Sequence, residues 1–168
     1  MINVRPLEIY DLSMLHRWMN EPHLRPFYMW DDISLETVNA KFTPRIHGEE
    51  DCFCLLAEEC GRPYGYLQWY FNRTNPQYGV GTLGYLDGVS FDYFVGDPAF
   101  LGRQLGTEML GSAVDHVIGL VDESDREFFL IHANKNVTAI RCSERAGFNA
   151  VDEMNYNSLP STIYTRKS

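Results

Sequence analysis

Apolar residues recur along the chain with two different periods, and the switches between them set out its elements. Residues 2–6 predict a short strand. Leu12, Leu15, Trp18 and Met19 then follow at the i, i+3 and i+4 spacings of a helical face, behind a cap at Asp11 or Ser13. Asn20, Pro22 and Pro26 interrupt that helix. Residues 26–30, Pro-Phe-Tyr-Met-Trp, predict an aromatic loop, and Ser34 predicts the start of a second helix reaching about Phe42, stopped by Pro44. Residues 52–58 and 64–71 read as two strands joined by the turn Glu59-Cys60-Gly61-Arg62-Pro63. Residues 72–84 are loop-like, and 89–95 (VSFDYFV) form a third strong strand.

After Gly96-Asp97-Pro98 the period changes. Leu105, Met109, Leu110, Ala113, Val114, Val117 and Ile118 make the stripe of a well-packed helix. Phe128–Ile131 is a short apolar strand. A helix from Asn136 to about Ala146 follows, ended by Gly147, which takes a left-handed cap without steric cost. Strands near 148–154 and 159–165 close the chain. The order β-α-α-β-β-β-α-β-α-β-β predicts an α/β fold, with a mixed central sheet of about seven strands flanked by about four helices.

Composition narrows the class. The 168 residues, 45% hydrophobic and 22% charged, predict one domain spanning 1–168 and exclude a disordered chain. The N-terminus carries Arg5, Glu8 and Asp11 and has no apolar core of a signal peptide. No run approaches the roughly 18 apolar residues of a membrane span, so no membrane partner and a cytoplasmic location are expected. Cys52 and Cys54 lie two apart in a strand-like run, with Cys60 and Cys142 elsewhere. That spacing does not suit a zinc site, and no metal is expected. A net charge of −9 argues against nucleic acid as a partner and suits a small polycationic one, drawn in by long-range attraction.

Two segments carry candidate chemistry. In Asp97-Pro98-Ala99-Phe100-Leu101-Gly102-Arg103-Gln104-Leu105-Gly106-Thr107, a strand gives way to a turn and then to a helix. Such a turn leaves backbone N–H groups unpaired at the positive end of the helix dipole, where a pyrophosphate fits, while its two glycines by themselves favour a simple loop before a surface helix. It is neither a Walker A loop nor G-x-G-x-x-G. In the strand ahead of it, Phe91, Tyr93 and Val95 take one face and Asp92 and Phe94 the other. Asp92 is therefore a lone carboxylate in an apolar strand, which is costly to bury without a partner.

P-x-[FY]-x-G-x-x-x-G between strand and helix resembles the acetyl-CoA pyrophosphate loop of the GNAT acetyltransferase superfamily. The run Asn136-Val137-Thr138-Ala139-Ile140-Arg141-Cys142-Ser143-Glu144-Arg145-Ala146-Gly147-Phe148 resembles that superfamily's second signature, N-x-x-A-x-x-x-Y-E-[KR]-x-G-F. The resemblance covers residues 92–148. It implies the GNAT fold and acetyl-CoA as cosubstrate, held by Leu101, Gly102, Arg103, Gln104, Leu105, Gly106 and Thr107, with Asn136 and Ala139 along its arm. Backbone N–H groups after Tyr93, at Phe94 and Val95, would polarise the thioester carbonyl. A side chain at Gly106 is expected to exclude the cofactor from a folded chain.

The sequence departs from the pattern twice. Gln104 stands at a usual glycine, and Ser143 replaces the tyrosine thought to protonate the departing thiolate, leaving that role empty or to the Ser143 hydroxyl, a water or another side chain. A thiolate, with a thiol pKa near 8.5, leaves without much help. Cys142, inside the last helix, reads as packing.

Ser90–Gly96 further resembles the G-[LI]-D-x-[FL]-[IV]-G strand of aminoglycoside 6′-N-acetyltransferases, and Gly65-Tyr66-Leu67-Gln68-Trp69-Tyr70 resembles their G-Y-x-Q-x-Y. This implies Asp92 as catalytic base or amine anchor. It also implies an acceptor cleft drawn from Phe27, Tyr28, Tyr66, Gln68 and His132. An aminoglycoside amine is the implied acceptor. Another small amine or hydroxylamine, a protein amine, and a non-catalytic acyl-CoA-binding module remain open, as do monomer and homodimer.

Overall fold

In the computed structural model, residues 2–28 and 32–168 are described. Seven strands form one sheet: β1 (Ile2–Pro6), β2 (Phe53–Glu59), β3 (Arg62–Phe71), β4 (Val89–Val95), β5 (Glu127–Ala133), β6 (Asn149–Tyr156) and β7 (Leu159–Lys167). The helices are α1 (Leu12–Met19), the single turn α2 (Arg25–Tyr28), α3 (Leu35–Ile46), α4 (Leu105–Ile118) and α5 (Val137–Arg145). The one-turn α2, overlapping the expected aromatic loop, brings the α-helices to five among the described residues. No described helix is long and apolar enough to cross a membrane.

The sheet order is β1-β2-β3-β4-β5-β7-β6, and every neighbouring pair is antiparallel except β4 with β5. That parallel pair is short: only Val89 with Phe128 and Ser90 with Phe129 are in register before the strands part. β3 meanwhile follows β4 to its end, from Phe71 opposite Val89 to Gly65 opposite Val95. A wedge therefore opens in the middle of the sheet, on the β5 side of β4.

Two apolar layers cover the sheet. On one face Leu105, Met109, Leu110, Ala113, Val114 and Val117 of α4 pack against Leu67, Trp69, Phe91, Phe128 and Leu130. On the other, Leu15, Trp18 and Met19 of α1 and Val38 and Phe42 of α3 pack against Leu56, Tyr66 and Phe94. The alternation of β4 puts Phe91 with the first layer and Phe94 with the second, which sends Asp92 to the α1/α3 side.

Three local expectations change. Pro44 does not stop α3, which runs on to Ile46. Proline lacks an N–H and its ring crowds the carbonyl four residues back, but the chain closes beyond it through His47 N–H to Thr43 O and Glu49 N–H to Pro44 O. Asp11 gives α1 no side-chain cap; its carboxylate instead accepts the Glu8 N–H and two Arg5 N–H groups. The β2–β3 turn is tighter than expected, since Glu59 pairs with Arg62 across Cys60 and Gly61 alone. Both have positive φ, 51° and 76°, as a type I′ hairpin turn requires.

Candidate active site

Below the wedge lies a cavity of about 270 Å³. Of the residues singled out from sequence, Phe27, Tyr66, Gln68, Asp92, Phe94, His132, Asn136 and Ala139 all line it. The Tyr28 side chain and Trp30 lie outside the described residues. Phe27 is carried by α2, and the loop before it is tied down where His23 Nε2 meets Val95 O at 2.8 Å. Lys41 of α3, Tyr93 of β4, and Tyr156 and Asn157 at the β6–β7 turn also line the cavity. Those four were not singled out, because nothing local marks a helix lysine or a hairpin tyrosine as facing a strand far away in sequence.

Asp92 is half-buried and stands opposite Gln68 in the β3–β4 register. Gln68 Nε2–H donates to Asp92 Oδ2 at 2.8 Å. Gln68 Oε1 accepts from Arg45 Nη1 at 2.9 Å and from the Tyr66 hydroxyl at 2.8 Å. Among the described residues, Asp92 Oδ1 has no hydrogen bond. Burial raises the Asp92 carboxyl above the usual carboxylate range, and the Gln68 hydrogen bond and the Lys41 and Arg45 charges oppose that rise. Lys41 is lowered by burial and by its neighbour Arg45, while Asp92 holds it up. Asp92 and Lys41 are the charged residues among those lining the cavity. The acidic excess of the sequence is therefore not concentrated on these walls.

Across the wedge, His132 Nε2 and Ser143 Oγ are 2.6 Å apart. Burial lowers His132 to about 4, so the ring is neutral at pH 7. Ser143 Oγ also donates to Ala139 O at 3.1 Å, and the Tyr93 hydroxyl lies 3.3 Å from both Ser143 Oγ and Ala139 O. Ser143 is fully buried and is not among the cavity residues, its hydroxyl turned to His132, Tyr93 and Ala139. Tyr93 fills the polar corner where β4, β5 and α5 meet.

The turn ahead of α4 lies away from this cavity. Gly102 and Gln104 both have positive φ, 75° and 62°. Such alternation turns successive N–H groups toward one side. Phe100 N–H and Leu101 N–H bond back to Asp97 O and Pro98 O, and Thr107 N–H closes on Gln104 O. Between them lie the turn and the first N–H groups of α4, which have no helical acceptor. Arg103 pairs with Glu59 at 2.7 Å and lies over the Phe100 ring, so its charge is partly spent on the β2–β3 hairpin. Leu105 points into the core, and its carbonyl accepts from the Tyr64 hydroxyl. Asn136 caps α5, its side chain accepting the Ala139 N–H.

The expectation for a side chain at Gly106 changes. A Cβ there would stand 3.2 Å from Cys142 Sγ and 3.9 Å from Val95 Cγ2. It would point between α4 and α5, so the glycine permits close helix packing. Cys142 accordingly has a packing role.

The profile of the Acetyltransferase (GNAT) domain family matches residues 9–156. No curated protein sequence matches the chain. Among solved structures, the aminoglycoside acetyltransferase AAC(6′)-Ib in complex with coenzyme A superposes with a TM-score of 0.84 at 22% identity, over 99% of this chain and 95% of that one. The same protein with coenzyme A and kanamycin gives the same values. Spermidine N-acetyltransferase from Vibrio cholerae, in complex with CoA and spermine, gives a TM-score of 0.77 at 15% identity over 99% and 95% of the two chains. At these identities the superpositions establish the fold, and the profile match over most of its length places this chain in the GNAT acetyltransferase family.

Proposed function

We propose that the chain transfers an acetyl group from acetyl-CoA to a primary amine of an aminoglycoside-type acceptor, with Asp92 receiving the proton the amine must lose. The observation that carries this is Asp92 itself, on the cavity wall, one oxygen held by Gln68 and the other without a hydrogen bond among the described residues. An amine is protonated at neutral pH and attacks only when neutral. A carboxylate whose proton affinity is raised by burial is a better acceptor than an exposed one, once the amine is held about 3 Å away.

The turn at Gly102–Gln104 and the start of α4 suit the pyrophosphate of acetyl-CoA, bound by backbone N–H groups. Asn136 and Ala139 would flank its arm, since both line the cavity at the opening of α5. When bound, acetyl-CoA supplies the acyl group as an activated thioester. The chain's own residues hold the two reactants together and remove the proton, which accounts for much of the acceleration expected of such a site.

The neighbour crystallised with coenzyme A and kanamycin supports an aminoglycoside acceptor. The cavity favours a second reading, a smaller and less cationic amine, because Lys41 shares the walls with Asp92. Coenzyme A release measured across kanamycin-like aminoglycosides, polyamines, monoamines, hydroxylamines and peptides separates the two. Acetylation of the 6′-amine of a kanamycin-like compound, located by mass spectrometry and NMR, supports the first. Turnover confined to monoamines or hydroxylamines rejects it in favour of the second.

A further inference from the structure

We propose that Arg45, which is not among the residues lining the cavity, is a positioning residue for Asp92: its guanidinium fixes the orientation of the Gln68 amide, so that Gln68 presents an N–H donor to the carboxylate. The proposal rests on Asp92 as proton acceptor only for its catalytic consequence.

The argument is one of donors and acceptors. A side-chain amide can turn end for end, and its two orientations differ little unless a neighbour distinguishes them. Of Gln68's partners, the Tyr66 hydroxyl does not distinguish them, because it donates to an oxygen or accepts from an N–H equally well. Arg45 is different, since guanidinium only donates and is charged at every relevant pH. At 2.9 Å from Gln68 it demands the oxygen there, which leaves Nε2–H to meet Asp92 Oδ2 at 2.8 Å. The chain Arg45 to Gln68 to Asp92 therefore runs in one direction. Without Arg45 the amide is free to turn its oxygen to Asp92, an arrangement a carboxylate repels and a protonated carboxyl welcomes. The carboxyl would then keep its proton to a higher pH.

The surroundings fix Arg45 in turn. α3 continues past Pro44, which puts residue 45 on the last helical turn. Its Nε donates to Glu50 at 2.9 Å, and the guanidinium lies 5.6 Å from the Phe42 ring centre. The other titratable groups facing Asp92 are Lys41 from α3, Tyr70 from β3, Cys52 ahead of β2, Tyr156 from β6 and, across the cavity, His132 from β5. Of these, Lys41 supplies the other positive charge, and none is hydrogen-bonded to Gln68 among the described contacts.

The test follows the Asp92 side-chain carboxyl by carbon-13 NMR titration in the ligand-free protein, in wild type, Arg45→Met, Gln68→Leu and the double variant. Arg45→Met should raise the Asp92 titration midpoint by about one unit or more, the scale of a lost hydrogen bond and a lost neighbouring charge. In the Gln68→Leu background the same change should shift it by less than half as much, because the route through the amide is gone. An equal shift in both backgrounds, or none in either, overturns the proposal. Should Gln68→Leu fail to fold, the Gln68 side-chain amide resonance in Arg45→Met decides. Its doubling supports the proposal, and a single resonance that still follows the Asp92 titration overturns it. Where the midpoint moves but the acidic limb of acetyl transfer does not, Arg45 keeps its positioning role and Asp92 loses its catalytic one.

Discussion

Asp92→Asn should lower activity and raise stability together. The substitution keeps the size of the side chain, and its oxygen can still accept from Gln68 Nε2–H, but it removes the charge. The folded-state carboxyl is raised by burial, so the native protein holds its proton more tightly than the unfolded chain does. Well below the unfolded value both states are protonated and Asp92 has no effect on stability through its charge. As pH rises through the window up to the folded value, the unfolded chain ionises first, and the native state loses stability relative to it. Above that window the full penalty applies, and neutral pH is where removing the charge helps most. Each unit of the upward displacement corresponds to about 1.4 kcal/mol. In a chain of this size 1 kcal/mol moves Tm by about 2–4 °C, so Asp92→Asn should gain roughly 3–5 °C per unit at pH 7. That gain should shrink as pH falls toward 4. Over the same series kcat for the accepted amine should fall by about 10²–10⁴-fold, with acetyl-CoA affinity unchanged. Thermal unfolding at several pH values and steady-state kinetics on one preparation make the measurement. A variant that is less stable at neutral pH and acetylates within about threefold of wild type would refute the reasoning, since Asp92 would then be a structural carboxylate.

Three further outcomes are expected. Gly106→Val forces branched carbon atoms against Cys142 and should cost about 1–3 kcal/mol in denaturant unfolding, with part recovered in Gly106→Val/Cys142→Ala. Equal destabilisation with and without Cys142 would show that the crowding lies elsewhere. Asn136→Ala removes the α5 cap, costing about 1 kcal/mol, and should raise KM for acetyl-CoA more than it lowers kcat; a pure kcat loss contradicts that placement. Ser143→Ala leaves the buried His132 Nε2 without its 2.6 Å partner and should cost about 1–3 kcal/mol, while kcat changes less than tenfold. A hundredfold loss of kcat in a stable Ser143→Ala protein would return a catalytic role to the serine.

The local code of this sequence was legible because each signal acts over a few residues. The stripe from Leu105 to Ile118 marked α4, the alternation at 89–95 marked β4, and Asn136 and Gly147 marked the two ends of α5, where the cap bond and a φ of 87° are found. A single sharp stop was misjudged at Pro44, because the bond a proline deletes weighs less than the burial of Phe42 and the contacts of the turn after it. The alternation of β4 also separated Asp92 from Phe91 and Tyr93 before any contact was known. What surrounds Asp92 could not be read in that way. Gln68 reaches it through strand register, Arg45 and Lys41 through the length and rotation of α3, and Tyr156 through a hairpin from the far end of the chain. Ser143 shows the same limit: its place in the motif suggested chemistry, and its burial and its contact with His132 are set by the folded chain alone. Period and capping are properties of neighbouring residues and are written in the sequence. The proton affinity of a carboxylate is set by everything within a few ångströms of it, and only the folded chain decides which residues those are.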